Sequence, residues 1–390
     1  MTAKNTTRRI KKMRVLLTDV MFPNKYAKWR LVEIKAFIQQ YNCDILVLDR
    51  TKDYNGISYE FDYEELKDEF SLGDYDILIF NPKYNWLDKY NTRINGIEYN
   101  NMFKSDYMLR YKRNGDFNYN IVYHIFYMNY IAFNNSFIFP LERQYIHLYP
   151  GGGYFGKHSI HNLNKDVNII ATQEFISRNI VNNRILSNYG GPFFDKNEQI
   201  RKHTFTKNKF IVCFTSLGNS LEKGADVYVD IAKEFNIKYP ELNVKFIAIG
   251  VCPKSKFIDE YKKPMDQTSL SNYYNKHVDV LINLDSGKQL NGFPLGIEAA
   301  SQGTILLTTD VHRQNILNKF NFNSFFIINR NNLDEIIKKL KLLHDNIEVR
   351  KSYSQLLQEK VYELFSYENT MEKIFKFISN TSKNSPLVPL

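Results

Sequence analysis

The sequence predicts an α/β protein made of two doubly wound parallel sheets that follow one another along the chain. Short apolar runs rich in β-branched residues alternate with stretches of helical periodicity, as expected for parallel strands joined by crossover helices. A polar, basic run from Asp195 to Lys209 interrupts the alternation near the middle. At 390 residues the chain is long for one domain and comfortable for two.

Residues 1–12 form a basic stretch with no apolar pattern and are expected to be a disordered tail. A first domain, 13–195, opens with a strand from Arg14 to Thr18. A helix from Tyr26 to Gln40 follows, its apolar face supplied by Trp29, Val32, Ile34, Phe37 and Ile38. Asp44–Leu48 and Tyr75–Phe80 are the next strands. Lys25, Lys28 and Arg30 lie at the first strand-to-helix loop, where they would either hold an acidic group or simply be solvated. Residues 84–120, rich in Asn and Tyr, show almost no periodicity and are expected to be an insertion, packed on the domain or wandering over its surface.

Two further apolar runs cover Asn120–Phe126 and Gln144–Leu148. The second ends in His147-Leu148-Tyr149-Pro150-Gly151-Gly152-Gly153. Glycines after a buried strand let backbone approach a ligand closely, so His147 is a candidate functional residue, with a structural histidine as the even alternative and His124 as its rival. Asp166–Thr172 and Ile185–Tyr189 complete the domain, and 196–208 is the linker.

The second domain, 209–365, starts with a strand from Lys209 to Phe214. A loop containing Gly218 and ending in Lys223-Gly224 leads to a helix with Val227, Ile231 and Phe235 as its stripe. Such a loop seats a phosphate through backbone N–H groups and one point charge; the plainer alternative is a helix start with an exposed lysine. Asn243–Gly250 is the next strand, ending in the turn Gly250-Val251-Cys252-Pro253, and Leu270–Lys276 is a short helix.

The most informative stretch is 278–310. A buried strand, Val278–Leu284, is bounded by Asp285-Ser286-Gly287. Asn291-Gly292-Phe293-Pro294 then opens a helix from Leu295 to Gln302, and a strand from Thr304 to Thr308 follows. Pro294 suits the first helical position and Gly303 a left-handed stop. The loop falls at the carboxyl edge of a parallel sheet, where open α/β sheets bind ligands, and the free N–H groups of the helix favour a phosphate or diphosphate. Glu298, one turn in, faces either that ligand or solvent. Asp334–His344 and Val349–Phe375 are helical patterns, with residues 381–390 a loose tail.

Composition bounds the function. Hydrophobic residues make up 43%, with 27 tyrosines and 29 phenylalanines, ample for real cores. No apolar run approaches the roughly 20 residues of a membrane span, and the basic start leads into a strand pattern, not a signal sequence. Cys43, Cys213 and Cys252 sit in or beside apolar runs and are expected to be reduced thiols of a cytoplasmic protein. No metal-ligand spacing occurs, so no metal is expected. The net charge of +10 is spread along the chain without a nucleic-acid motif. The cluster Arg8, Arg9, Lys11, Lys12 and Arg14 is either a solvated tail or a contact for an anionic membrane surface.

Gly292-Phe293-Pro294-Leu295, the pair Glu298-Ala299, and then Gly303 with its apolar strand resemble the donor-site motif of glycosyltransferase family 4, as does Lys223-Gly224. Asn291 stands where that family places the first of two glutamates, and the family's arginine upstream of the lysine has no counterpart among Thr215–Ser220. The resemblance covers residues 209–378 and, for the first domain, extends to layout only. It implies a GT-B fold: two Rossmann-like domains facing a cleft, with a final helix, 366–380, packing back on the first. It also implies a hexosyltransferase-like enzyme of polysaccharide biosynthesis that uses a nucleotide-diphosphate sugar, UDP or GDP, without cofactor or metal and with retention. The acceptor would be a glycan, a lipid-linked sugar or a protein; the cysteines make the enzyme cytoplasmic, and the membrane reading of the basic cluster would place it peripherally at the inner face, the solvated-tail reading not. By the same resemblance Gly218, Lys223, Gly224, Gly250, Asn291, Gly292, Phe293, Pro294, Leu295 and Glu298 would hold the donor, with His147 and Glu298 catalytic. The alternatives are a non-catalytic GT-B glycan- or partner-binding protein and a nucleotide-sugar epimerase.

Overall fold

The structure is a computed structural model that describes residues 13–19, 28–47, 76–80, 144–148, 168–171, 185–186, 191–201, 203–206, 209–216, 221–285, 293–309 and 324–383. The basic tail, the 84–120 insertion, the 120–126 run with His124, the glycines at 151–153, and Gly218, Asn291 and Gly292 lie outside them.

Two six-stranded parallel sheets organise the chain. The first contains β1 (Arg14–Asp19), β2 (Asn42–Val47), β3 (Ile77–Phe80), β4 (Gln144–Leu148), β5 (Asn168–Ala171) and β6 (Ile185–Leu186), in the order β2-β1-β3-β4-β5-β6. The second contains β7 (Phe210–Ser216), β8 (Val244–Gly250), β9 (Glu260–Lys262), β10 (Val280–Asn283), β11 (Ile305–Thr309) and β12 (Ile327–Ile328), in the order β12-β11-β10-β7-β8-β9. The described helices are α1 (Lys28–Gln40), α2 (Ala225–Lys238), α3 (Gln267–His277), α4 (Phe293–Ser301), α5 (Leu333–Asp345), α6 (Ile347–Phe365) and α7 (Tyr367–Lys383).

The doubly wound α/β expectation holds, with local corrections. Strand β2 starts at Asn42, earlier than the apolar run, because the Asn42 N–H donates to the Met13 carbonyl and Asn42 pairs with Arg14. The buried stripe of α2 runs through Tyr228, Ile231, Ala232 and Phe235, leaving Val227 at its margin. Tyr228 wins because its hydroxyl, 2.9 Å from the carbonyl oxygens of both Val212 and Ile247, finds partners inside. The helical pattern over Val349–Phe375 is two helices, not one. Ser366 takes an extended backbone between them, and its Oγ accepts from the Asn369 N–H to cap α7.

Helix α1 lies between two cores. Ile34, Ala36 and Phe37 pack with Val15, Leu17, Ile77 and Ile79 of the first sheet, and with Met371, Ile374 and Ile378 of α7. The Phe375 ring meets Phe37 and Tyr41 edge-on, each at 5.5 Å. Trp29, one end of the same helix, instead joins the core of the second sheet. It packs beside Gly191, where an added Cβ would meet the Trp29 side chain at an ordinary 3.4 Å contact, so that the φ of +85° is what favours glycine there. Lys28 pairs with Glu198 at 2.8 Å and Lys35 with Asp195 at 2.8 Å, so Lys28 is tied to the crossing segment, not solvated.

The chain passes between the halves at 191–206 and again at 365–367, and the two passages touch. The Phe193 N–H donates to the Phe365 carbonyl at 3.0 Å, and the Phe193–Phe365 and Phe194–Tyr362 ring pairs lie at 5.6 and 4.9 Å. Arg350 of α6 fastens the entry to β7. It is buried between the rings of Phe205 and Phe210 and donates to Asp279 Oδ1 at 3.2 Å and to the Thr206 carbonyl at 3.2 Å. The other Asp279 oxygen accepts from the Ile211 N–H at 2.7 Å. Burial still outweighs these partners, pushing the Asp279 carboxyl up to about 6.

Candidate functional site

The polar residues of interest collect at the carboxyl edge of the second sheet. Strand β8 ends at Gly250, whose φ of +85° turns the chain so that the Val251 N–H reaches the Ser216 carbonyl at the end of β7, 2.7 Å away. On the other side of β7, β10 runs out into Leu284 and Asp285.

Lys223-Gly224 meets that end of β10. Gly224 stands at the N-terminus of α2 with φ +77°, a left-handed conformation that favours glycine. A Cβ there would lie 2.5 Å from Leu284 Cβ and 2.8 Å from the Leu284 carbonyl oxygen. This close approach aims Lys223 at the next residue: its Nζ lies 2.6 Å from Asp285 Oδ2. Asp285 is completely buried, and its backbone carbonyl accepts from Thr309 Oγ1 at 2.7 Å, fixing it to the end of β11.

Helix α4 begins at Phe293, so Pro294 is its second residue, not its first. The first four N–H groups of any helix lack intrahelical partners, and proline is tolerated across that turn. Gly303 has φ +85° and ends the helix as its sequence position implies. Leu295 is half-buried.

Glu298 does not point to solvent. It is buried and turned onto α3, where its Oε1 accepts from Gln267 Nε2 and from Ser271 Oγ, the latter at 3.3 Å. On the same helix α3 Tyr274 donates its hydroxyl to Thr215 Oγ1 at 3.0 Å, a separate polar contact that ties α3 to the end of β7. Burial pushes the Glu298 carboxyl up to about 7, more than Gln267, Lys28 and Ser271 pull it down.

His147 lies on β4 of the other sheet, in register with Ile170 one residue before the carboxyl end of the strand. Its backbone place is set; the glycine loop that made it a candidate lies outside the described residues. The structure therefore brings together Lys223, Gly224 and the end of β10, places Gly250 at the end of β8 on the far side of β7, and hangs Leu295 and Glu298 on the helix that follows β10.

Sequence reasoning missed Asp285, Gln267 and Ser271. Asp285 was visible only as a turn signal, although a carboxylate directly after a buried strand at a ligand-binding edge is itself a signal. Nothing local marks Gln267 or Ser271. Among the described residues no group of three or more His, Cys, Asp or Glu could hold a metal ion, and no helix is long and apolar enough to cross a membrane. Cys213 is buried, its thiol pushed up to about 12, and Cys252 rises to about 11, both by burial.

No family model matches the chain, and no curated protein matches it either. Solved structures do. S. aureus TarM, in a mutant form in complex with Fondaparinux, alpha-GlcNAc-glycerol and UDP, superposes with TM-score 0.58 at 13% identity over 96% of this chain and 100% of that one. Anabaena HepE in complex with UDP and glucose gives 0.57 at 11% over 94% and 100%. An alpha-glucosyltransferase in complex with UDP and a 13-mer DNA gives 0.53 at 11% over 94% and 100%. The fold is GT-B.

In GT-B terms the two Rossmann-like sheets are β1–β6 and β7–β12, and the Lys223–Asp285 pair and Glu298 both belong to the second. Glu298 gives this GT-B chain a definite pH response. Its folded value of about 7 stands above the ordinary 4.5, so between those values the folded state holds a proton that the unfolded state has lost. The contribution of Glu298 to stability is then greatest below about pH 4.5 and is lost as pH rises through 7. Relative to the wild type, Glu298→Gln is expected to remove a decline on the order of 3 kcal/mol over that window. Urea unfolding midpoints at pH 5 and pH 7.5 check this, and parallel pH profiles for the two proteins would contradict it. Asp279 responds with the same sign in both proteins and cancels from the difference.

Proposed function

We propose that the chain is a glycosyltransferase that takes its sugar from a nucleotide-diphosphate donor bound at the carboxyl edge of the second sheet. One observation carries the reading. The Lys223-Gly224 turn, held in a left-handed conformation against the end of β10, presents an ammonium and the free N–H groups of α2 at a strand edge. The GT-B fold agrees, since proteins of that fold have been solved with UDP bound. The family 4-like motif at 292–303 supplies the donor-side helix α4.

Lys223 and the N–H groups of α2 and α4 would stabilise the leaving diphosphate, the main catalytic contribution in a site without a metal. Glu298, about half protonated at neutral pH and held on α3 by Gln267 and Ser271, would orient the donor ribose, and His147 would face the sugar or acceptor from the first sheet. Closure of the two halves would exclude water from the transfer. The acceptor is a glycan or a lipid-linked sugar, met at the inner face of the membrane, where the basic residues 8–14 favour an anionic surface. Transfer proceeds with retention.

A non-catalytic binding protein of the same fold is the second reading, favoured by the neutralisation of Lys223 by Asp285. A thermal-shift series with UDP, GDP, ADP, CMP and their sugars separates the two. One nucleotide diphosphate at a hundred times its Kd should stabilise the protein by about 2.7 kcal/mol, and Lys223→Ala should abolish the shift. If none of these ligands stabilises the wild type, the transferase reading falls.

A further inference from the structure

We infer that Asp285 positions Lys223 and also competes for it, so that the site grips a diphosphate less tightly than a free lysine would. This rests on reading Lys223 as the diphosphate contact. The geometry assigns Asp285 a fixed place. Its backbone is held by the Thr309 hydroxyl, and the residue before it packs so closely on Gly224 that a Cβ there would fall 2.8 Å from the Leu284 carbonyl oxygen. The carboxylate is wholly enclosed, while the Lys223 side chain is 16% exposed, so the lysine is the partner that solvent or a ligand reaches.

An anion arriving at Nζ therefore meets an ammonium already paired at 2.6 Å, with a second negative charge immediately behind it. In a partly enclosed site that repulsion is poorly screened. Asp285 also costs desolvation unless Lys223 stays close, so it holds the ammonium in one place while opposing prolonged binding of the diphosphate. An element that weakens one bound state is a common way to set selectivity between states; here it would favour release of the diphosphate product. The Thr309 hydroxyl holds the Asp285 main-chain carbonyl whatever the side-chain charge, so a neutral side chain of similar shape keeps that anchor.

The test is calorimetric titration of the full chain with UDP and with GDP, comparing the wild type with Asp285→Asn. The expected result is at least fivefold tighter binding of the nucleotide by Asp285→Asn, with steady-state kcat falling as product release slows. Equal or weaker binding would overturn the inference and leave Lys223 as the diphosphate contact untouched. Asp285→Ser, smaller and also neutral, is expected to behave in the same direction and serves if the Asn variant does not fold. Failure of both variants to fold would make the pair purely structural and overturn the inference too. A folded wild type that binds neither nucleotide would instead remove the underlying reading of Lys223, and this inference with it.

Discussion

Arg350→Ala is expected to destabilise the folded protein by about 3–5 kcal/mol, the usual cost of stripping one partner from a buried ion pair. Arg350 is 1% exposed, and its guanidinium joins three parts of the chain: Asp279 at the start of the strand β10 segment, the Thr206 carbonyl in the crossing segment, and the Phe205 and Phe210 rings on either side. Truncation leaves Asp279 enclosed with one backbone N–H, that of Ile211, as its remaining described side-chain partner. It also opens a cavity between two aromatic rings. The measurement is the urea midpoint and slope followed by intrinsic fluorescence. A loss under 1 kcal/mol would mean that the site relaxes and readmits water. The double change Arg350→Met with Asp279→Val should recover most of the loss, because replacing a whole buried pair by apolar side chains is often neutral or better.

The second large effect is expected at Gly224. A left-handed backbone costs a residue with a Cβ roughly 1–2 kcal/mol, and here the added carbon would also overlap Leu284 Cβ at 2.5 Å and the Leu284 carbonyl at 2.8 Å. Backbone cannot swing aside as a flexible side chain does, so forced overpacking adds roughly another 1–3 kcal/mol. Gly224→Ala should therefore lose about 2–5 kcal/mol of stability and, because the turn carries Lys223, the nucleotide-induced thermal shift as well. A variant that keeps both its melting temperature and its ligand response would show that the turn rebuilds around the methyl group.

The sheets were legible because their strands are self-announcing. Phe210–Ser216 is buried at every residue, so its composition betrays it without any knowledge of its neighbours. Strand β9, Glu260-Tyr261-Lys262, escaped for the opposite reason: it lies at the sheet edge, half exposed, and owes its place to pairing with Ile247–Ile249. Strand β12 has two residues and no periodicity to read. At the candidate site, Lys223 and Gly224 were readable because their signals are local: a glycine at a turn and a lysine beside it. Asp285 as the partner of Lys223 was not, since 62 residues separate the two. Glu298 shows the same limit. Its place one turn into α4 follows from the helix pattern, but its direction is set by Gln267 and Ser271 on another helix.

The return of α7 to the first sheet has a bearing on how the protein comes to exist. Val15, Leu17, Ile34 and Phe37 are among the first described residues to leave the ribosome, yet the Met371, Ile374, Phe375 and Ile378 side chains that cover them come from the last described helix. Until α7 has been made, the leading half lacks this part of its apolar cover, while the trailing half can assemble its sheet from residues much closer together in sequence. Contacts of such long range form slowly, and an open face of this kind is where nascent multidomain chains aggregate or recruit chaperones. In this protein the half made first is the half completed last.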